Sequence, residues 1–293
     1  MGLKVNKYYI IMSNDKIVIH KFSPKSKNET YAPGLADFFK GSIALHQYST
    51  IYNFKLYLDF SEHPLQNFLE KNEYPPDVSP NSETIELFNT TPPFLRTKLE
   101  AALQESGIVK IQCNLDYEQA PSSETIEFVL KNFRPLPSVS DRIISLKKEL
   151  GLIGEYTTIH IRAGDTFMIH NSNSEHDHRF KTFFGANNTQ NLIKLLDFFR
   201  EYCSDDVFLI SDNAIVKQFV AKKYNFKTTP FIPMHSGALG KDDDTLQRSE
   251  ELLIEFFVMV GATNVRCYSW MGHSGFSDMA KILYSLPLET HWI

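Results

Sequence analysis

Residues 156–167, YTTIHIRAGDTF, gather His160, Arg162 and Asp165 at the point where an apolar strand must break. Thr157, Ile159 and Ile161 alternate with Thr158, His160 and Arg162, so His160 and Arg162 share one face of that strand. An Arg in such a place can fork two hydrogen bonds onto a phosphate, and a neighbouring Asp can hold the guanidinium still. The same residues can instead form a structural ion pair that closes the strand, with His160 as a satisfied core residue.

A second group lies in YSWMGHSGFSDMAKIL, where a strand ends near Ser269 and a helix starts around Ser274 to Ser277. The backbone N–H groups of a helix start, with two hydroxyls beside them, make an anion site. Simple capping by Ser274 or Ser277 needs no ligand and accounts for the same residues. A third group is PGLADFFKGSIAL, in which Gly34 opens a helix and Asp37 falls in its first turn. Gly34 allows close backbone approach, to a ligand or to a neighbouring strand. Asp212, at the end of FLISDN, either meets a ligand at the sheet edge or caps the following helix.

Two acidic or histidine-rich stretches invite a metal and do not support one. His170 and the HDHR run at residues 176–179 lack the spacing of a known site and fit a solvated loop. In KDDDT no apolar strand precedes the Asp-x-Asp, and Asp244 with Gln247 fits a capping box. No metal is expected.

Elements that alternate between the two periods must position these groups. In the first half, YYIIMS, KIVIHKF, FKLYLDF, TIELF and IVKIQCNL pattern as strands. GLADFFKGSIALHQYSTIYN is helical, as is PPFLRTKLEAALQESG, with Gly107 at its end, and residues 122–133 are amphipathic. FRPLPSVS breaks the pattern, and a helix restarts at SDRIISLKKELG. That break divides the chain into residues 1–137 and 138–293. The second half continues with YTTIHIR, DVFLISD, a weak FKTTPFI and NVRCYS as strands. TQNLIKLLDFFREYC, NAIVKQFVAKKY, TLQRSEELLIEFFVMVGA and GFSDMAKILYSL are its helices. Such alternation predicts an α/β chain with two doubly wound parallel sheets facing each other across a cleft. Ligands then bind at the carboxyl ends of the strands, where the three groups above are found.

The 293 residues carry a net charge of −5, without the basic excess of a nucleic-acid platform. Cys113, Cys203 and Cys267 form neither a disulfide framework nor a zinc spacing. The first 15 residues hold too short an apolar run for a membrane span or signal core, and Asn6 breaks the myristoylation pattern. Sequons at Asn28, Asn89 and Asn187 are expected to be incidental in a reduced, cytoplasmic protein.

Taken in order, HIRAGD, HSGFSDMAKIL and GLADFFKGSIAL resemble elements of the GT-B fucosyltransferase superfamily. That superfamily includes protein O-fucosyltransferases, α1,2- and α1,6-fucosyltransferases and nodulation fucosyltransferases. HIRAGD is similar to its H-x-R-x-G-D element, and HSGFSDMAKIL to its S-x-F-S-x-x-A-x-x-L element. GLADFFKGSIAL is similar to the glycine-rich first helix of protein O-fucosyltransferases. The resemblance implies a GT-B fold of two Rossmann-like domains, acceptor side first and donor side second. It implies inverting transfer from a nucleotide sugar, usually GDP-fucose, to a glycan acceptor, with neither metal nor cofactor. A sugar-binding protein that kept the fold, or a different nucleotide sugar, is the alternative. Carried across, Arg162 grips the diphosphate, His160 and Asp212 lie near the nucleoside, and Asp165 orients Arg162. His273, Ser274, Gly275, Phe276 and Ser277 approach the phosphates, and Gly34 borders the cleft. Asp37 is the candidate base. Some relatives place a second Arg after the first, where this chain has Ala163.

Overall fold

The computed structural model describes residues 16–23, 34–71, 84–87, 91–114, 117–163, 188–202, 206–233, 244–269 and 274–293. The expected strand YYIIMS and the HDHR run lie outside them. Among the described residues, β1 (Ile17–Lys21), β2 (Lys55–Asp59), β3 (Thr84–Leu87) and β4 (Ile108–Cys113) form one sheet in the order β2-β1-β4-β3. A second sheet, ordered β6-β5-β7-β8, contains β5 (Tyr156–Arg162), β6 (Asp206–Ser211), β7 (Asn264–Ser269) and β8 (Leu288–Trp292). Every pairing in both is parallel. Parallel strands need crossover connections, and helices supply them.

Those helices are α1 (Leu35–Tyr52), α2 (Pro92–Glu105), α3 (Ser123–Lys131), α4 (Pro137–Glu149), α5 (Asn188–Tyr202), α6 (Ala214–Tyr224), α7 (Asp244–Val260) and α8 (Gly275–Tyr284). A 3-10 turn spans Pro64–Asn67. None of the described helices is long and apolar enough to cross a membrane.

Several boundaries differ from those expected. Helix α2 stops at Glu105 with an extended Ser106 as its C-cap, so Gly107 is not its left-handed end. The Gly107 carbonyl instead accepts from the Ile17 N–H and starts the β1–β4 ladder. Helix α4 begins at Pro137, three residues before the expected restart, because proline suits a first helical position. FKTTPFI makes only an isolated bridge, Lys227 to Phe208, and not a strand. Beyond the last expected helix the chain adds β8 as an edge strand.

Strand β5 shows why the second sheet sits as it does. Ile159 and Ile161 pack with Leu196, Val216 and Val220 on one face of the sheet. The alternate residues Thr158 and His160 turn to the other face, where α7 and α8 lie. There an aromatic chain runs through the molecule: Phe39 meets Phe133 at 4.6 Å between ring centres, Phe133 meets Phe256 at 6.1 Å, and Phe256 meets Phe276 at 5.1 Å. Phe276 then meets His160 edge-on at 5.9 Å. Residues of both sheets and of α1, α7 and α8 share this one hydrophobic cluster. Each such ring contributes roughly 2–3 kcal/mol by burial.

Glycine permits the closest approach in α1. A Cβ on Gly41 would stand 2.6 Å from the Cys113 carbonyl oxygen, so α1 presses onto β4 only where a side chain is missing.

Candidate active site

In the second sheet the chain leaves β5 for β6 on one side and continues as β7 on the other. Strands β5 and β7 therefore flank a topological switch point, where a crevice opens beyond the strand ends. A cavity of about 130 Å3 lies there. His160 and Arg162 from β5 border it, with Ile210, Ser211 and Asp212 from the end of β6. Gly34 and Asp37 border it from the start of α1, and Ser274, Gly275 and Phe276 from the start of α8. Three sequence groups, up to 240 positions apart between Gly34 and Ser274, are thus brought to one place. Asp165 and His273 lie outside the described residues.

Two helix amino ends converge on this cavity. Each carries N–H groups that no residue of its own helix backbone accepts from, and the positive end of a helix dipole, equivalent to about half a charge. The two approach so closely that a Cβ on Gly275 would stand 2.8 Å from the Ala36 Cβ. At the start of α8, Ser274 is the N-cap residue, yet its side chain makes no capping bond. Its hydroxyl is buried and makes no hydrogen bond among the described residues. A buried hydroxyl without a partner is costly, and a bound anion would satisfy it. Arg162, half-buried at the end of β5, adds a fixed positive charge to the same wall.

His160 is a buried, neutral imidazole. Burial, and to a lesser degree the Arg162 charge, holds its pKa down at about 3. Its Nδ1 is hydrogen-bonded to Ser277 Oγ at 2.6 Å. Ser277 is therefore turned into the core, fully buried and away from the cavity lining, where a phosphate contact was expected. Cys267 lies beside Ser277 and opposite His160 in the ladder; burial pushes its thiol up to about 11 and leaves it unreactive.

Asp212 does not cap α6. Asn213 does that, accepting from the N–H groups of Ile215 and Val216 at 3.0 Å. Asp212 Oδ1 instead accepts from the Ala163 N–H at 2.7 Å, which ties the end of β6 to the residue after Arg162. Asp37 Oδ2 accepts from the Gly34 N–H at 3.3 Å, closing the first turn of α1 while the residue also faces the cavity.

No protein-family profile matches the chain, and no curated protein matches it by sequence comparison. Solved structures do match. The fucosyltransferase NodZ from Bradyrhizobium superposes with a TM-score of 0.56 at 15% identity, over 92% of this chain and 93% of the other. NodZ alpha-1,6-fucosyltransferase co-crystallized with GDP, and the same enzyme soaked with GDP-fucose, each give a TM-score of 0.54 at 14% identity, over 92% of both chains. The fold is that of the GT-B fucosyltransferases. At these identities the likeness concerns the arrangement of sheets and helices, and the side chains must be argued on their own geometry.

A GT-B chain builds its cavity from both halves, and one contributor here escaped the sequence reading. Helix α7 presents Arg248, Glu251, Leu252 and Glu255 to the cavity, and Phe231, Ile232 and Pro233 complete that wall. The offsets of three, four and seven residues place them on one helix face. Glu255 stands inside the apolar run LLIEFFV, and a carboxylate on a buried face was the available signal. Gln247, expected to form a capping box with Asp244, donates its amide to Glu251 Oε1 at 2.8 Å. Among the described residues no group of three or more His, Cys, Asp or Glu gathers to hold a metal.

Proposed function

We propose that this protein is an inverting glycosyltransferase that moves L-fucose from GDP-fucose to a hydroxyl of a glycan acceptor without a metal ion. The observation that carries this reading is Ser274 at the start of α8, which lines the same cavity as Arg162 and the start of α1 and whose buried hydroxyl has no partner among the described residues. Two helix amino ends, a guanidinium and a hydroxyl without a partner form a site for a diphosphate. The solved NodZ structures with GDP and GDP-fucose support the choice of donor.

In this reading the acceptor oxygen attacks the anomeric carbon on the face opposite the diphosphate. The bond from that carbon to the phosphate oxygen breaks, and its electron pair leaves with GDP. Negative charge grows on the departing phosphate, where Arg162 and the helix amino ends stabilise it more in the transition state than before it. Asp37, in the first turn of α1, accepts the acceptor proton. Asp212 fixes the backbone just beyond Arg162, and neutral His160 borders the nucleoside. In this reading residues 1–137 form the acceptor side and residues 138–293 the donor side.

Incubation with GDP-fucose and a panel of glycan acceptors, with a chelator present, tests the proposal. GDP release that depends on acceptor and persists with the chelator is expected. Tight GDP-fucose binding without acceptor-dependent release would point to a binding protein on the same fold.

A further inference from the structure

One lining residue of the cavity, Glu255, belongs to a buried ion pair with no part in the chemistry above. Lys217, on α6, is 2% exposed in its side chain, and its Nζ lies 2.6 Å from Glu255 Oε1 on α7. The same ammonium donates to Thr229 Oγ1 at 2.8 Å and to the Phe231 carbonyl at 3.1 Å, so all three of its protons are used. The Thr229 hydroxyl also donates to Glu255 Oε1. These bonds fall on Oε1, while Glu255 lines the cavity. Its Oε2 is thereby left as an acceptor for a ligand.

Buried charges are retained only when paired, and a buried pair is weak support for stability on its own. Other charges line the same cavity as Glu255. Glu251, one turn before it on α7, opposes a second negative charge. Arg248 shares that helix face, Arg162 stands on β5 with neutral His160, and Asp212 and Asp37 add two carboxylates to the lining. Lys217 is the cation in direct contact.

Resting on the reading of the cavity as a nucleotide-sugar site, we propose that Lys217 is a positioning residue: it holds Glu255 Oε1 and so aims the second carboxylate oxygen at an N–H or O–H edge of the nucleoside. It also pins the Phe231 backbone to α7, so this wall keeps its shape. The diphosphate, gripped by Arg162 and the two helix starts, does not depend on it.

Isothermal titration of GDP and of inorganic pyrophosphate into wild type, Lys217→Met and Glu255→Gln separates the possibilities. In Lys217→Met, GDP binding should weaken about tenfold, as Glu255 loses the contact that holds Oε1. In Glu255→Gln it should weaken as well, which keeps the test open should Lys217→Met fail to fold. Pyrophosphate affinity should stay within about twofold throughout. Equal losses for GDP and pyrophosphate, or unchanged GDP affinity in Lys217→Met or in Glu255→Gln, would overturn the proposal. Wild type that binds neither ligand would instead remove the nucleotide-sugar reading on which it rests.

Discussion

Arg162, Ser274 and Asp37 are asked to do different work, and their substitutions should separate. Arg162→Ala should lower kcat/KM by at least about a thousandfold, since it removes charge stabilisation at the leaving phosphate, while the melting curve stays near wild type. Ser274→Ala removes a buried hydroxyl without a partner, so unliganded stability should hold or rise by about 1 kcal/mol as GDP affinity falls. Calorimetry with and without GDP reads both numbers. Asp37→Asn should reduce kcat by about a hundredfold or more with little change in GDP affinity, the mark of a proton acceptor and not of a donor contact. Burst and steady-state measurement of GDP release distinguishes these two effects.

At the scale of elements, the close contact between the starts of α1 and α8 sets the width of the diphosphate site. Gly275→Ala should force those ends apart, at about 1–3 kcal/mol in stability, and weaken GDP binding more than a substitution of similar cost elsewhere. Phe133→Ala, in the aromatic chain but away from the cavity, serves as that comparison; it should cost about 3–5 kcal/mol and leave GDP affinity of the folded protein intact. Strand β5 and the starts of α1 and α8 were legible in the sequence because alternation, glycine and hydroxyl residues mark strand ends and helix starts directly. The face of α7 was not, because Arg248, Glu251 and Glu255 pattern as an ordinary amphipathic helix, and only tertiary packing turns that face toward a cavity. The partner of Ser277 was equally hidden: its bond to His160 spans 117 positions. Local signals also misplaced the end of α2 and the start of α4, where long-range strand pairing and a tolerated proline decided the matter.

For the whole molecule, one hydrophobic cluster joins both sheets, so the two halves should unfold together in a single calorimetric transition. Its stability should fall in mild acid. Burial holds both His20 and His160 at about 3, against an ordinary value of 6.5. Between those values the unfolded chain binds more protons than the folded one, so stability is full above about pH 6.5 and is lost as pH falls toward 3. Each histidine contributes a slope of about 1.4 kcal/mol per pH unit in that window. Denaturant titrations across it should show the loss, and His160→Gln should remove one proton's share of the slope. Both sheets present their helix starts to one cavity, and the account stands or falls on what that cavity holds. Thermal unfolding with saturating GDP is the direct measurement. At about a hundredfold excess over Kd, GDP should stabilise wild type by about 2.7 kcal/mol, and Arg162→Ala should lose most of that gain. No shift with GDP, or an equal shift in Arg162→Ala, would contradict a diphosphate site between α1, α8 and β5.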